Sequence, residues 1–253
     1  MRMTVACCLV AAVACGAALL GMASPMRAQE PLVADLTEYR VAITTGFVGT
    51  DVYVFGAKSE PGDVVVVIRG PAVRYAVRRK DRIAGIWLNA RRLDFRGVPS
   101  FYAIASTRPL GELMSSASRL REEIGLDNLS LVPDEAADPA EVAAFRAALL
   151  RIKQAAGLFA GEPGTISIQR EPLFKTRVHF PANVPTGSYD IRVLLIRDGE
   201  IVSAQTVPLQ VSKSGIDALV YEFAHRQAAA YGLVAILGAL LAGWVAHLVF
   251  RKL

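Results

Sequence analysis

The run Ala228–Phe250 (AAAYGLVAILGALLAGWVAHLVF) decides where the rest of this chain can live. It contains no Asp, Glu, Lys or Arg, and Arg251-Lys252 follow it directly. At about 1.5 Å rise per residue it makes roughly 34 Å of helix, enough to cross a hydrocarbon core of about 30 Å with some tilt. A second apolar stretch, Val5–Ala23, starts behind Arg2 and runs into the small residues Gly21, Ala23 and then Ala28. This is the pattern of a secretory signal peptide over residues 1–28, with an uncleaved N-terminal anchor as the alternative. Signal and span together predict a single-pass protein of the inner (cytoplasmic) membrane. Residues 29–212 form a periplasmic domain, 213–227 a juxtamembrane connector, 228–250 the transmembrane helix and 251–253 a cytoplasmic tail. The basic tail agrees with the positive-inside rule.

Cysteine and histidine usage narrows the chemistry. Cys7, Cys8 and Cys15, the only three cysteines, all lie in the predicted signal. The mature chain therefore offers no disulfide, no thiolate nucleophile and no Cys-based metal site. His179 is the one histidine of the exported domain; His225 is juxtamembrane and His247 lies in the span. No metal, no cofactor and no histidine-based catalytic triad is expected. Asp127, Asp134, Glu135, Asp138 and Glu141 lack calcium-loop spacing and read as a solvated loop with a helix cap. Nucleic acid is not an expected partner for a domain outside the cytoplasm.

Along the domain the pattern is mainly β. Glu38–Thr44, Asp51–Ala57, Ile83–Asn89 and Ser100–Ser106 read as strands, and Val64–Ile68 (VVVVI) as a strand buried on both faces. The period then changes. Leu110, Leu113, Ala117, Leu120 and Ile124 predict one helix, and Val142, Phe145, Leu149 and Ile152 a second. The second starts at Asp138-Pro139, with Asp138 as N-cap and Glu141 completing the box, and ends at Gly157. Strands return at Thr165–Arg170, Leu173–Phe180, Ser188–Arg197 and Glu200–Val211. Asp198-Gly199 predicts a tight hairpin turn. Tyr189, sharing a face with Val193 and Leu195, is similar to the tyrosine of late immunoglobulin strands. The expected fold is an immunoglobulin-like β-sandwich with a two-helix insertion near 108–158, plus the C-terminal transmembrane helix. The alternative is two small β units joined by the helices.

Several stretches together resemble one family, the alphaproteobacterial transmembrane proteins of unknown function (Alph_Pro_TM). They are Tyr39–Phe47, Asp51–Ala57, Val66–Pro71, Gly85–Asn89, Pro99–Tyr102, Pro185–Tyr189 and Tyr231–Leu233. The resemblance covers nearly all of the mature chain. It implies a signal-bearing, single-span protein associated with TauE/SafE-type anion exporters, hence with sulfite or organosulfonate handling. It supplies no catalytic residues.

The sharpest local feature is charge. Residues 74–96 hold Arg74, Arg78, Arg79, Lys80, Arg82, Arg91, Arg92 and Arg96 against only Asp81 and Asp94. These cations are candidates for binding a small anion, lipid head groups or an acidic partner, or they form a solvated sheet face whose stems cover apolar surface. Trp87, between them, is expected in the core, and His179 on an exposed strand face. In the span, Ala235, Ala239 and Gly243 repeat at helical spacing and are candidates for packing against another helix. The expected role is interaction rather than catalysis: an accessory to a membrane transporter or envelope complex. A small-anion binding module and an enzyme of unrecognised type are the alternatives.

Overall fold

The computed structural model describes residues 31–83, 85–170, 172–214 and 223–251. The predicted signal peptide, much of the connector and the end of the tail lie outside these residues. The described chain is mainly β and ends in one long apolar helix. Its strands are β1 (Leu32–Leu36), β2 (Arg40–Ile43), β3 (Gly49–Lys58), β4 (Asp63–Arg69), β5 (Ala72–Ile83), β6 (Ile86–Pro99), β7 (Tyr102–Ser106), β8 (Val132–Pro133), β9 (Gly164–Thr165), β10 (Ser167–Arg170), β11 (Leu173–Pro181), β12 (Gly187–Arg197) and β13 (Glu200–Lys213). Its α-helices are α1 (Leu110–Leu113), α2 (Ser116–Arg121), α3 (Pro139–Ala155) and α4 (Ala228–Phe250).

Three sheets form. One has the order β1-β3-β11-β10, a second β2-β13-β12-β4-β7-β9, and a third β5-β6-β8. Pairing is antiparallel except for the edge pairs β2–β13 and β7–β9. The first two sheets share one apolar cluster. Val52, Val54, Phe174, Val178 and Phe180 enter it from the four-stranded sheet, and Val64, Val66, Ile68, Ile191, Val193 and Leu209 from the six-stranded one. A second cluster covers alternate residues of the six-stranded sheet, Val65, Val67, Leu194 and Ile196, with Phe145 and Leu149 of α3 and Val77, Leu93 and Phe95 of the β5–β6 pair. Strand β4 is thus buried on both sides, with Val64 to Ile68 at 2% exposure or less. That explains its unbroken β-branched run, since a strand with two apolar neighbours needs no polar alternation. By contrast, β11 buries only alternate residues, Phe174, Thr176, Val178 and Phe180. Between β12 and β13, Asp198 and Gly199 both adopt positive φ (51° and 83°), as a primed hairpin turn requires.

The helical segment departs from expectation in two places. The stripe Leu110–Ile124 is two short helices, because Met114 is extended (φ −144°, ψ 147°) and buried between them. Ser115 caps α2 by accepting from the Ser118 N–H at 3.1 Å. After α2, Glu123 turns the chain with φ 53°. Arg69 donates to the carbonyls of Glu122 and Glu123 at 2.9 and 3.0 Å, and the Tyr102 hydroxyl donates to the Glu123 carbonyl at 2.9 Å. A cation and a hydroxyl so placed satisfy carbonyls that a helix end leaves orphaned. The second helix starts at Pro139 as expected, but Asp138 makes no side-chain capping bond.

The ladder joining β4 and β7 does not stop at their ends. Arg69 pairs Tyr102, the Gly70 N–H donates to the Phe101 carbonyl at 2.8 Å, the Ser100 N–H donates to the Pro71 carbonyl at 2.9 Å, and Ala72 pairs Pro99. β4–β5 and β6–β7 therefore make one long antiparallel ribbon whose distal part leaves the six-stranded sheet. Gly70 lies at the crossing point. A Cβ there would strike the Ser100 hydroxyl and come within 2.9 Å of both the Phe101 nitrogen and the Tyr189 ring.

Candidate functional site

The distal half of the ribbon is largely exposed. Its turn lies between the paired residues Ile83 and Ile86, with Gly85 at φ 84°. Ile83–Asn89, expected as one continuous strand, is thus two strand ends and the turn between them. Trp87 is 65% exposed rather than in the core, beside Ile86 at 65% and Leu88 at 48%. The cause is position: Val77 and Leu93 are the last side chains the second cluster covers, and the strands run on past it. A register shift between Arg79 and Lys80, where Asn89 and Arg91 are the successive partners, adds local twist.

Register assigns the cations to faces. Arg79 pairs Arg91 on the side that carries Val77 and Leu93. On the other side Arg78 pairs Arg92, Lys80 pairs Asn89 and Arg82 pairs Trp87. Like charges directly opposite are destabilising in a sheet. Here carboxylates relieve them. Glu141 accepts from the Arg91 guanidinium in a fork of 2.8 and 2.5 Å, and Asp94 accepts from Arg92 at 2.8 and 2.7 Å. Asp134 takes Arg74 at 2.9 Å and Arg96 at 2.5 Å, and Asp81 takes Arg79 at 3.4 Å. The Arg91 and Arg92 guanidiniums, hydrogen-bonded to Glu141 and Asp94, hold both carboxyls below the usual range. Glu141 is therefore the tie between α3 and the ribbon, not a capping residue, and Asp134 is an ion-pair partner rather than a solvated loop acid. Arg82 donates to the Gly85 carbonyl at 3.2 Å. Of the eight predicted cations, Arg78, Lys80 and Arg82 make no carboxylate pair among the described residues.

Elsewhere, an open cleft of about 580 Å³ lies between Gly62-Asp63, the Arg108–Ser115 segment and the β12–β13 turn. Asp63 is held there by Arg108 and by the Thr107 hydroxyl at 2.8 Å, and the bonded Arg108 guanidinium lowers its pKa. His179 sits on the exposed face of β11 as expected, with its Nδ1 2.8 Å from Asp51. Among the described residues no group of three His, Cys, Asp or Glu is placed to hold a metal ion. Lys153 of α3 is only 4% exposed, and its ammonium lies 4.5 Å from the Tyr75 ring centre and 5.8 Å from that of Phe159. Burial pushes its pKa down.

Two further surfaces lie apart from the ribbon, one legible in the sequence and one missed by it. Ala235, Ala239 and Gly243 lie along one side of α4, as their spacing requires, and a Cβ on Gly243 would meet nothing within 4 Å. The missed surface is the outer face of the four-stranded sheet. Val33 pairs Ala57 and Ala57 pairs Leu173, so three apolar residues stand in a row across β1, β3 and β11. Phe55, two residues along β3, extends the row, and Val33, Phe55 and Leu173 are 51%, 41% and 51% exposed. No periodicity within a single strand reveals such a row, because it exists only through the register of three strands.

Comparison with known proteins adds one match. A family model described as "Putative transmembrane protein (Alph_Pro_TM)" matches residues 31–252. No curated protein matches the chain.

Proposed function

The chain belongs to the Alph_Pro_TM family of transmembrane proteins, and from that premise we propose that it is a membrane-anchored interaction protein, not an enzyme. In this proposal α4 is the single span, the β domain faces the periplasm behind a signal peptide, and the tail is cytoplasmic at the inner membrane. The helix Ala228–Leu248, with mean hydropathy 2.0 over a span-length window, supports the anchoring. An immunoglobulin-like sandwich is supported by the strand orders of the two larger sheets. It is also supported by Tyr189 at the start of β12, whose hydroxyl donates to the Pro185 carbonyl at 2.6 Å, as a tyrosine corner does. The proposed role is an accessory to an integral-membrane transporter or envelope complex.

The observation that carries this is the apolar row Val33–Ala57–Leu173 with Phe55. Exposed apolar side chains in a contiguous patch, rimmed here by Asp35, Lys175 and Arg177, are the mark of an interaction surface. Purifying the full chain in mild detergent is expected to recover an integral-membrane partner. The double variant Phe55→Asp, Leu173→Asp should lose it while keeping the fold. Ala239→Leu with Gly243→Leu should weaken the same association if the span is a second contact. Repeated recovery of the protein alone would sink the proposal.

A further inference from the structure

The ribbon leaves the domain at the end tethered to the membrane. Arg69 of β4 is level with Asp190 of β12, and Asp190 with Pro208 of β13. Beyond that level Gly187 pairs Val211, and a Cβ on Gly187 would lie 2.7 Å from Pro71, the residue before β5. The base of the ribbon and the outgoing end of β13 therefore share one end of the six-stranded sheet. From Lys213 only residues 214–227 remain before the span at Ala228, a reach of about 50 Å at full extension. The twelve residues of β5 cover roughly 40 Å. The tip thus belongs to an element rooted beside the anchor and comparable in length to the tether.

The composition of that tip is specific. Ile86, Trp87 and Leu88 are exposed at the turn. Behind them stand six cations, Arg78, Arg79, Lys80, Arg82, Arg91 and Arg92, against three carboxylates, Asp81, Asp94 and Glu141, so three positive charges remain in excess. The ladder Arg78–Arg92, Lys80–Asn89, Arg82–Trp87 puts this excess on one face, ending in the indole. With Arg79, Arg91 and Arg92 paired to carboxylates, the excess is carried by Arg78, Lys80 and Arg82. An apolar tip with an indole and flanking long basic side chains suits the boundary between acyl chains and phosphate groups. Arg82 sits directly opposite Trp87 and can bind a phosphate while the ring enters the interface.

We propose that the tip of the β5–β6 ribbon docks on the anionic lipid surface of the membrane in which the protein is anchored. Trp87, Ile86 and Leu88 enter the interface, while Arg78, Lys80 and Arg82 take lipid phosphates. The span keeps the tip at high effective concentration, so weak contact is enough to orient the domain. Docking of this kind rests on membrane anchoring, not on the protein partner proposed above.

The chain has two tryptophans, Trp87 and Trp244. Trp244→Phe in the full chain leaves Trp87 as the reporter. The protein is reconstituted into vesicles of phosphatidylcholine alone, or of phosphatidylcholine with phosphatidylglycerol, each with and without brominated acyl chains. Trp87 emission is expected to shift to the blue, to be quenched by bromolipid and to be shielded from acrylamide in the anionic vesicles, and much less so in the zwitterionic ones. Each cation removed should weaken docking about fivefold. Arg78→Gln, Lys80→Gln and Arg82→Gln together should therefore bring the anionic result to the zwitterionic one, with circular dichroism unchanged. Water-exposed, acrylamide-accessible Trp87 in anionic vesicles would overturn docking. Equal quenching in both lipids, untouched by the triple variant, would overturn recognition of the phosphates. Neither outcome bears on partner recovery, so this failure and that of the proposed function are separable.

Discussion

At Lys153 the domain keeps a cation where packing alone asks for an apolar side chain. Its ammonium is held near the Tyr75 and Phe159 rings, with no carboxylate pair among the described residues. A desolvated cation–π contact returns about 2 kcal/mol, less than the several kcal/mol that burying an ammonium costs. Lys153→Met keeps the stem and removes the charge, so it should stabilise the full chain at neutral pH by about 1 kcal/mol. The sign with pH follows from the lowered pKa. Between the native pKa and the ordinary value of 10.5, the unfolded chain holds a proton the native chain has released, so wild-type stability rises with pH. Denaturant titrations should show the variant's advantage shrinking as pH passes through that window; an advantage constant with pH would contradict buried charge as its source. Tyr189 shows the opposite case. Burial pushes its phenol up to about 12. Its contribution is complete below the ordinary tyrosine value of 10.0 and is lost as pH rises through the native one. Tyr189→Phe leaves the Pro185 carbonyl without its hydroxyl donor and should cost about 1–2 kcal/mol at neutral pH, read as a lowered denaturation midpoint.

Strand β4 carries the prediction proper to elements. Val64 and Val66 face one cluster, Val65 and Val67 the other, and all are at 2% exposure or less. Val→Ala at each of the four positions should cost roughly 1.5–3 kcal/mol, with no alternation. A sawtooth in the measured stabilities, every second change near zero, would mean that one cluster does not cover the strand. This double burial was legible in the unbroken run of β-branched residues, as was the hairpin turn in Asp198-Gly199. The ribbon turn was not. Ala84-Gly85 lacks the Asn or Asp of a strong turn signal, and its flanks, Ile83 and Ile86-Trp87-Leu88, suit a strand whether or not anything covers it. Leu110–Ile124 misled for a related reason. Its apolar spacing fits one helix, yet burial of Met114 holds an extended break inside it. At Glu141 a local capping rule lost to an arginine fifty positions away in sequence, and a fork-shaped ion pair of that range leaves no trace in spacing.

For the whole molecule, composition was the more reliable guide. A charge-free run of 23 residues forms the long helix α4 whatever the domain does, because its pattern requires no partner. The basic stretch was legible as charge but not as geometry, since folding brings Asp134 to Arg74 and Arg96 and Glu141 to Arg91, pairs Asp94 with Arg92 and Asp81 with Arg79, and leaves Arg78, Lys80 and Arg82 without a carboxylate among the described residues. Sidedness decides which face of the membrane the ribbon and the apolar row meet, and the cysteine distribution makes it measurable. All three native cysteines precede residue 31. With those replaced by Ser, Glu162→Cys on the exposed domain surface and Arg251→Cys at the end of α4 give two single reporters. A membrane-impermeant maleimide should label the first in intact spheroplasts and the second only after the membrane is opened. The domain precedes a span ending in basic residues, and retaining Arg251 and Lys252 on the cytoplasmic side is the lower-energy arrangement. Because Arg251→Cys removes one of those charges, a cysteine added after Leu253 serves as the control. Labelling of both C-terminal reporters in intact spheroplasts, with Glu162→Cys protected, would invert the topology. It would also move the ribbon and the apolar row to the cytoplasmic face.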